Sequence, residues 1–332
     1  MAQTIRKVVI PKYGDPSVLK IVKATIPPPP ARHVQVAPIY AGFSGADINM
    51  RRGTYPMQKK APLTPGYCLV GTVKANGSGS TKFSPGDSVA CLTKYDAQAE
   101  LANLPEEHVM PVPAGLDAQQ VTALVLDWCT AYAMVHQVAK VTKGQRIFVH
   151  GISGSVGFAT MKLAQLQGAV VYGTASERNH QAVRDEGGIP FVYTNQDWVA
   201  EMKALGGVDA VFDSIGFDSF DTSYDVINSR GIVVGFGANK QSISGEEPSG
   251  GTWPVVKFLA KGKLPWSGKR TQFYLINRDQ PEYQSNFKAL VGLLSRGEIS
   301  VPIRKVWDME QIQEAHRQWS SGHGLGAVVV RI

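Results

Sequence analysis

The sequence predicts an α/β protein in which a doubly wound parallel sheet, covered by helices on both faces, follows a strand-rich segment. Three observations carry this. From Arg146 onward short apolar strands alternate with helical segments, the texture of a parallel sheet. A glycine-rich turn, Gly151-Ile152-Ser153-Gly154-Ser155-Val156-Gly157, stands between a clear strand and a clear helix. Residues 1–125 carry short apolar runs broken by proline and glycine.

The elements follow in order. Val8-Val9-Ile10 and Val34-Gln35-Val36 read as strands, and Pro27-Pro28-Pro29-Pro30 as an extended connector. Ser84-Pro85-Gly86-Asp87-Ser88-Val89-Ala90 is a tight turn feeding a strand. The texture changes near Asp117, and 118–138 is a long helical stretch with Val121, Leu124, Val125 and Trp128 at helical spacing. Strands are expected at Arg146–His150, Val170–Gly173, Ala210–Asp213 and Gly231–Phe236, with a first helix over Ser155–Gln167 stopped by Gly168. Gln241–Thr252 is polar and rich in glycine and serine, the composition of a mobile loop. A final helix (Met309–Ser320) and strand (Ala327–Ile332) are expected to return to the first domain. The texture divides the chain into a strand-rich segment, 1–125; an alternating strand and helix segment, 126–270; and 271–332, an edge strand and the return to the first domain.

Composition narrows the class. With 332 residues, 43% of them hydrophobic, the chain can bury two cores, and no apolar run reaches the ~20 residues of a membrane span. The first residues lack the pattern of a signal peptide, so a cytoplasmic location is expected. Three separated cysteines, Cys68, Cys91 and Cys129, fit neither a disulfide framework nor a cysteine-built zinc site. The net charge of +7 is spread among acids, except across Lys257–Arg270, which contains five basic residues and no acid. A solvated basic surface explains that run most simply; a phosphate-bearing substrate is the sharper alternative, and nucleic acid is not expected without an aromatic-rich RNA motif.

The glycines have separate tasks. Gly151 permits the tight turn, Gly154 lets backbone approach a pyrophosphate, and Gly157 lets the helix pack on the strand. The N–H groups of Ser155 and Val156 belong to the helix terminus that faces the phosphates. At the end of the second strand the chain reads Gly173-Thr174-Ala175-Ser176-Glu177-Arg178-Asn179. Ser176 and Arg178 suit a 2′-phosphate, with Glu177 turned to solvent, so NADPH is the expected cofactor.

At this level of detail the whole chain resembles the medium-chain dehydrogenase/reductase superfamily, in its zinc-free quinone-oxidoreductase and enoyl-reductase branch. The resemblance rests on Gly53-Thr54-Tyr55-Pro56, Pro65-Gly66-Tyr67, Ser84–Val89, Thr130-Ala131-Tyr132, His150–Gly157, Asp213-Ser214-Ile215-Gly216 and Ser321–Gly326, in order along the chain. It implies a Rossmann domain joined to a split GroES-like catalytic domain folded as a distorted β-barrel, with substrate held between them. It also implies that the nicotinamide lies near Ser44, Thr130, Ile152 and Phe236, and that Tyr193 and His323 contact the adenosine phosphate. Asn179 stands where many relatives have lysine. Ser44 and Tyr67 stand where the zinc branch has a cysteine and a histidine, and the lobe spanning 92–109 has no cysteine.

Without a metal, an alkene or quinone conjugated with a carbonyl is an easier hydride acceptor than a simple ketone. Tyr55 matches the tyrosine that serves as catalytic acid in enoyl-thioester reductases of this branch, and Ser44 and Asn49 are candidate substrate contacts. Asp47 and Asp127 are expected to hold loops or cap helices, Asp213 to sit at a strand end beside the cofactor cleft, and His136 and His316 to pack within helices. The expected substrates are small enones, enoyl thioesters or quinones. The alternatives are a metal-free carbonyl reductase or tailoring enzyme on the same scaffold, and a non-catalytic zeta-crystallin-like protein that binds NADPH or RNA. Thr271–Asn277 is expected at a sheet edge, where relatives pair into a homodimer.

Overall fold

The structure, a computed structural model, describes residues 1–217, 219–240, 253–264 and 266–332. The loop expected over 241–252 lies outside them. The chain divides into two compact units, one comprising 1–129, 277–322 and 327–332, the other 130–276 and 323–326.

In chain order the strands are β1 (Gln3–Val9), β2 (Lys20–Ile26), β3 (His33–Phe43), β4 (Cys68–Asn76), β5 (Ser88–Leu92), β6 (Ala102–Pro105), β7 (Val109–Pro111), β8 (Arg146–His150), β9 (Val170–Ala175), β10 (Ile189–Val192), β11 (Val208–Asp213), β12 (Ile227–Gly235), β13 (Arg270–Phe273), β14 (Ile303–Asp308) and β15 (Ala327–Arg331). In the first unit a seven-stranded sheet runs β14-β15-β3-β4-β5-β7, with β6 also paired to β3, and β1 and β2 form a separate ribbon. The last strand does return here: β15 pairs antiparallel with β3 and parallel with β14. Val34, Val36, Leu69, Val73, Val89 and Leu104 fill its core.

The second unit has a six-stranded parallel sheet of order β10-β9-β8-β11-β12-β13. Numbered within the unit, that is 3-2-1-4-5-6, the doubly wound order with its switch point between β8 and β11. Phe148, Val211 and Val233 are fully buried, as strands covered on both faces require. The Phe148 and Trp198 rings stack at 4.6 Å and those of Phe220 and Phe258 at 4.2 Å. Among the described residues β13 lies at one edge of this sheet, paired with β12.

Three expectations need correction. β12 begins at Ile227 rather than Gly231, because the register jumps from Val208↔Ile227 to Ala210↔Ile232 and absorbs Asn228–Gly231 as a bulge. Phe236 lies beyond the strand, its N–H bonded to the Asp213 carbonyl at 2.9 Å. The helical run from Ala118 to Ala139 is not uniform: Leu124–Trp128 and Met134–Ala139 are π-helical. Among the described residues no helix is long and apolar enough to cross a membrane.

Candidate functional site

The glycine turn expected to cradle a dinucleotide lies at the carboxyl end of β8. Gly151 adopts φ +72°, a left-handed conformation that favours glycine. Its carbonyl accepts the Gly154 N–H at 2.9 Å and closes the turn. Helix α2, Ser155–Leu166, starts from Gly154 without a side-chain cap. A Cβ on Gly157 would lie 2.1 Å from the Gly151 carbonyl oxygen, so only glycine lets helix and strand meet. A Cβ on Gly154 would meet only that same oxygen, at 3.3 Å, and otherwise project into open space. A tight floor with an open front is what a pyrophosphate requires.

The other expected cofactor residues follow the carboxyl ends of neighbouring strands. Ser176 and Arg178 come after β9, Tyr193 after β10 and Phe236 after β12. Arg178, Glu177 and His323 are exposed, Tyr193 is 49% exposed, and Thr130 and Ser153 are buried. Ile152 is fully buried and donates its N–H to the Thr174 carbonyl, which ties the turn to β9.

Asn179 bridges two segments of the second unit. It is buried and acts as a clamp: its Nδ2 donates to Ser153 Oγ at 3.3 Å and its Oδ1 accepts the Gly324 N–H at 2.9 Å. The glycine turn is tied there a second time, by the Gly326 N–H to the Ser153 carbonyl at 3.0 Å. Asp213 ends β11 as expected, fully buried, and accepts hydrogen bonds from Ile215, Gly216, Ser219 and Ser223.

The expected catalytic residues cluster on one short segment of the first unit. Ser44 is the N-cap of helix α1, Gly45–Arg52, and its Oγ accepts the Ala46 N–H at 3.2 Å. Asp47 closes the capping box, with Oδ2 on the Ser44 N–H at 3.0 Å and Oδ1 on the Gly66 N–H at 3.1 Å. The expected structural role of Asp47 therefore holds, and it fastens α1 to the loop carrying Tyr67. Ser44 thus has a local task in addition to any ligand. Asn49 is buried on α1, and Gly53 ends that helix at φ +80°.

Beyond that turn the Tyr55 hydroxyl donates to the Tyr67 hydroxyl at 2.8 Å, with the rings edge to face at 5.8 Å. Burial, with the neighbouring Tyr67, pushes the Tyr55 phenol well above its ordinary value. Burial also pushes Tyr67 up. Both phenols therefore stay neutral, able to donate hydrogen bonds. Tyr67 was read from the sequence only as a replaced ligand; its pairing with Tyr55, twelve residues away, is a tertiary fact.

Burial pushes the Asp47 carboxyl up to about 7, against the pull of the Ser44 and Gly66 N–H groups. A carboxyl raised on folding stabilises the native state below its unfolded value and loses that stabilisation as the pH rises towards about 7. Thermal melts of the native chain are expected to show this decline between about pH 4 and about pH 7. Asp47→Asn, which cannot ionise, should lack it; an equal decline in the variant would assign it elsewhere.

His136 and His316 lie in helical segments, and His316 is buried, its Nδ1 accepting from Arg51 Nε at 3.2 Å. Within the basic run, Lys257 and Lys261 both bind Asp221, at 2.5 and 2.6 Å, and Lys269 donates to the Tyr224 carbonyl. The local reading of that run fits better than a ligand. Cys68, Cys91 and Cys129 are buried free thiols. Among the described residues no three His, Cys, Asp or Glu side chains group in a way that could hold a metal ion.

A parallel sheet of order 3-2-1-4-5-6 with a glycine cradle at its switch point, joined to a mainly antiparallel catalytic unit, defines a two-unit oxidoreductase. The chain belongs to the medium-chain dehydrogenase/reductase superfamily, in its quinone oxidoreductase branch. A family model described as "Alcohol dehydrogenase GroES-like domain" matches residues 30–114, and one described as "Zinc-binding dehydrogenase" matches residues 189–330. A probable quinone oxidoreductase of Schizosaccharomyces pombe is 30% identical over 232 residues, covering 69% of this chain and 70% of its own length. The synaptic vesicle membrane protein VAT-1 homolog-like of Mus musculus is 26% identical over 345 residues, covering 100% of this chain and 82% of its own. The structure of Escherichia coli quinone oxidoreductase complexed with NADPH superposes with a TM-score of 0.84 at 24% identity, covering 98% of this chain and 100% of that one.

Proposed function

We propose that this chain is a zinc-independent, NADPH-dependent reductase that adds hydride to a carbonyl-conjugated double bond or a quinone. The observation that carries the reading is the Tyr55–Tyr67 phenol pair at 2.8 Å; by the family resemblance Tyr67 stands where the zinc branch has a histidine. A phenol held neutral by burial can donate to the oxygen on which charge develops.

The glycine turn and the start of α2 hold the pyrophosphate, and Ser176 and Arg178 read the 2′-phosphate. Tyr193 and His323 sit against the adenosine phosphate, and Thr130, Ile152 and Phe236 against the nicotinamide. A bound nicotinamide supplies the hydride. Ser44 and Asn49 orient the acceptor, and Tyr55 donates to its carbonyl oxygen as an enolate forms, or delivers the proton. In the free chain Tyr55 donates to Tyr67; when an acceptor binds, the two hydroxyls rotate so that Tyr67 donates to Tyr55 and the Tyr55 proton turns to the carbonyl oxygen, each phenol polarising the other.

The test is cofactor oxidation followed with enone, enoyl-thioester and quinone panels, with NADPH and NADH in parallel. Turnover of at least one panel with a lower KM for NADPH supports the reading; no turnover with any of them overturns it. We also propose a homodimer formed through the β13 edge. Exposed Trp253, Val256, Leu259, Trp266 and Leu275, on or near the elements flanking that strand, supply apolar surface suited to a second copy. Light scattering at twice the chain mass supports the dimer, and a monomer overturns it.

A further inference from the structure

The buried polar groups beneath the glycine turn form a chain whose direction can be derived. Asp213 Oδ2 lies 2.7 Å from Ser223 Oγ. Asp213 also accepts from the Ile215 and Gly216 N–H groups and the Ser219 hydroxyl, and with Ser223 Oγ donating to it as well, Ser223 spends its one proton on Asp213. Ser223 Oγ lies 3.1 Å from His150 Nε2 and must therefore accept from it. The Nε2 proton leaves Nδ1 with a lone pair in a neutral ring. Burial holds His150 below its ordinary value, with only the Asp213 charge opposing. Besides Asp213 and Ser223, the ring faces the Phe148 and Trp198 aromatic rings and Thr174. Nδ1 then accepts the Thr174 hydroxyl at 3.3 Å, and Thr174 Oγ1 accepts the Gly151 N–H at 3.2 Å. The opposite tautomer fails, because Ser223 would need two protons.

The hydrogen bonds thus run in one direction: Gly151 to Thr174, to His150, to Ser223, to Asp213. Both ends sit at the switch point of the sheet, Gly151 on the turn following β8 and Asp213 at the end of β11. We propose that Thr174 and His150 are positioning residues of the dinucleotide turn, fixing the Gly151 amide so that the pyrophosphate cradle is preformed. Neither residue touches the cofactor; each acts through Gly151. The inference rests on the reading of this turn as a dinucleotide site, though not on the choice of NADPH over NADH.

The experiment measures binding of NADPH and of NADH by calorimetry to the full chain and to Thr174→Val, Thr174→Ser, His150→Gln and the Thr174→Val/His150→Gln double variant. Thr174→Val removes one hydrogen bond at nearly constant volume and is expected to weaken both dinucleotides by a common factor of about fivefold. Thr174→Ser keeps the hydroxyl and should bind within about twofold of the native chain. The double variant should lose no more than the worse single one, since both break the same chain. At saturating cofactor kcat should be unchanged, a KM-against-kcat split that general loosening would not give. Native-like binding by Thr174→Val, an equal loss in Thr174→Ser, or multiplying effects in the double variant would each overturn the proposal. If the native chain bound neither dinucleotide, the cofactor reading itself would fail, and this inference with it.

Discussion

Gly157→Ala is expected to destroy both the cradle and much of the stability of the second unit. The added carbon would stand 2.1 Å from the Gly151 oxygen, 2.8 Å from its carbonyl carbon and 3.0 Å from the Ile152 Cα. All three are backbone atoms, fixed by the Ile152 and Gly154 amide bonds, so no side chain can swing away. Overpacking of this kind costs about 3 kcal/mol or more. Dinucleotide binding should drop at least about 100-fold because the phosphate-facing amides are displaced. Gly154→Ala is the informative contrast. Its Cβ would clear everything except one oxygen at 3.3 Å, so stability should change by less than about 1 kcal/mol. The methyl would nonetheless fill the open front of the cradle, and binding should fall. Chemical denaturation and calorimetry on both variants check this; equal stability losses would mean that the two glycines do not divide their tasks as described.

Tyr55→Phe is expected to lower kcat about 100-fold while leaving the KM for the dinucleotide unchanged. The variant keeps the ring and its edge-to-face contact with Tyr67 and removes only the donor. Because burial raises the phenol, its proton stays on through neutral and moderately alkaline solution. The native rate should therefore show no loss from Tyr55 ionisation up to about pH 9. Tyr67→Phe removes the partner and not the terminal donor, so its effect should be smaller. A Tyr55→Phe variant with native kcat would show that the proton comes from elsewhere.

Local pattern made much of the second unit legible. β8 occupies Arg146–His150 as expected, and α2 begins at Ser155 and ends before Gly168, whose φ is +80°. Each of these boundaries depends on residues within a few positions of one another. The bulge in β12 was not legible, because Asn228-Ser229-Arg230 reads as a turn and only pairing with β11 carries the chain through it. The π-helical segments within 118–139 were hidden for a similar reason: periodicity identifies a helix without fixing its hydrogen-bond spacing.

In the candidate site the same division recurs. By itself, the sequence determined the glycine turn at Gly151–Gly157, the polar pair Ser176 and Arg178 after the second strand, and the family to which the chain belongs. Those signals are contiguous, and backbone conformation at a glycine is dictated locally. Only the tertiary structure decided that Asn179 clamps Ser153 to Gly324, 145 positions further on, and that Asp213 anchors a buried chain reaching Gly151. It also decided that Tyr67 is the partner of Tyr55. A hydrogen-bonding side chain carries no mark of its partner in its own neighbourhood. The choice is made when distant segments are packed together and every buried donor and acceptor must be satisfied at once.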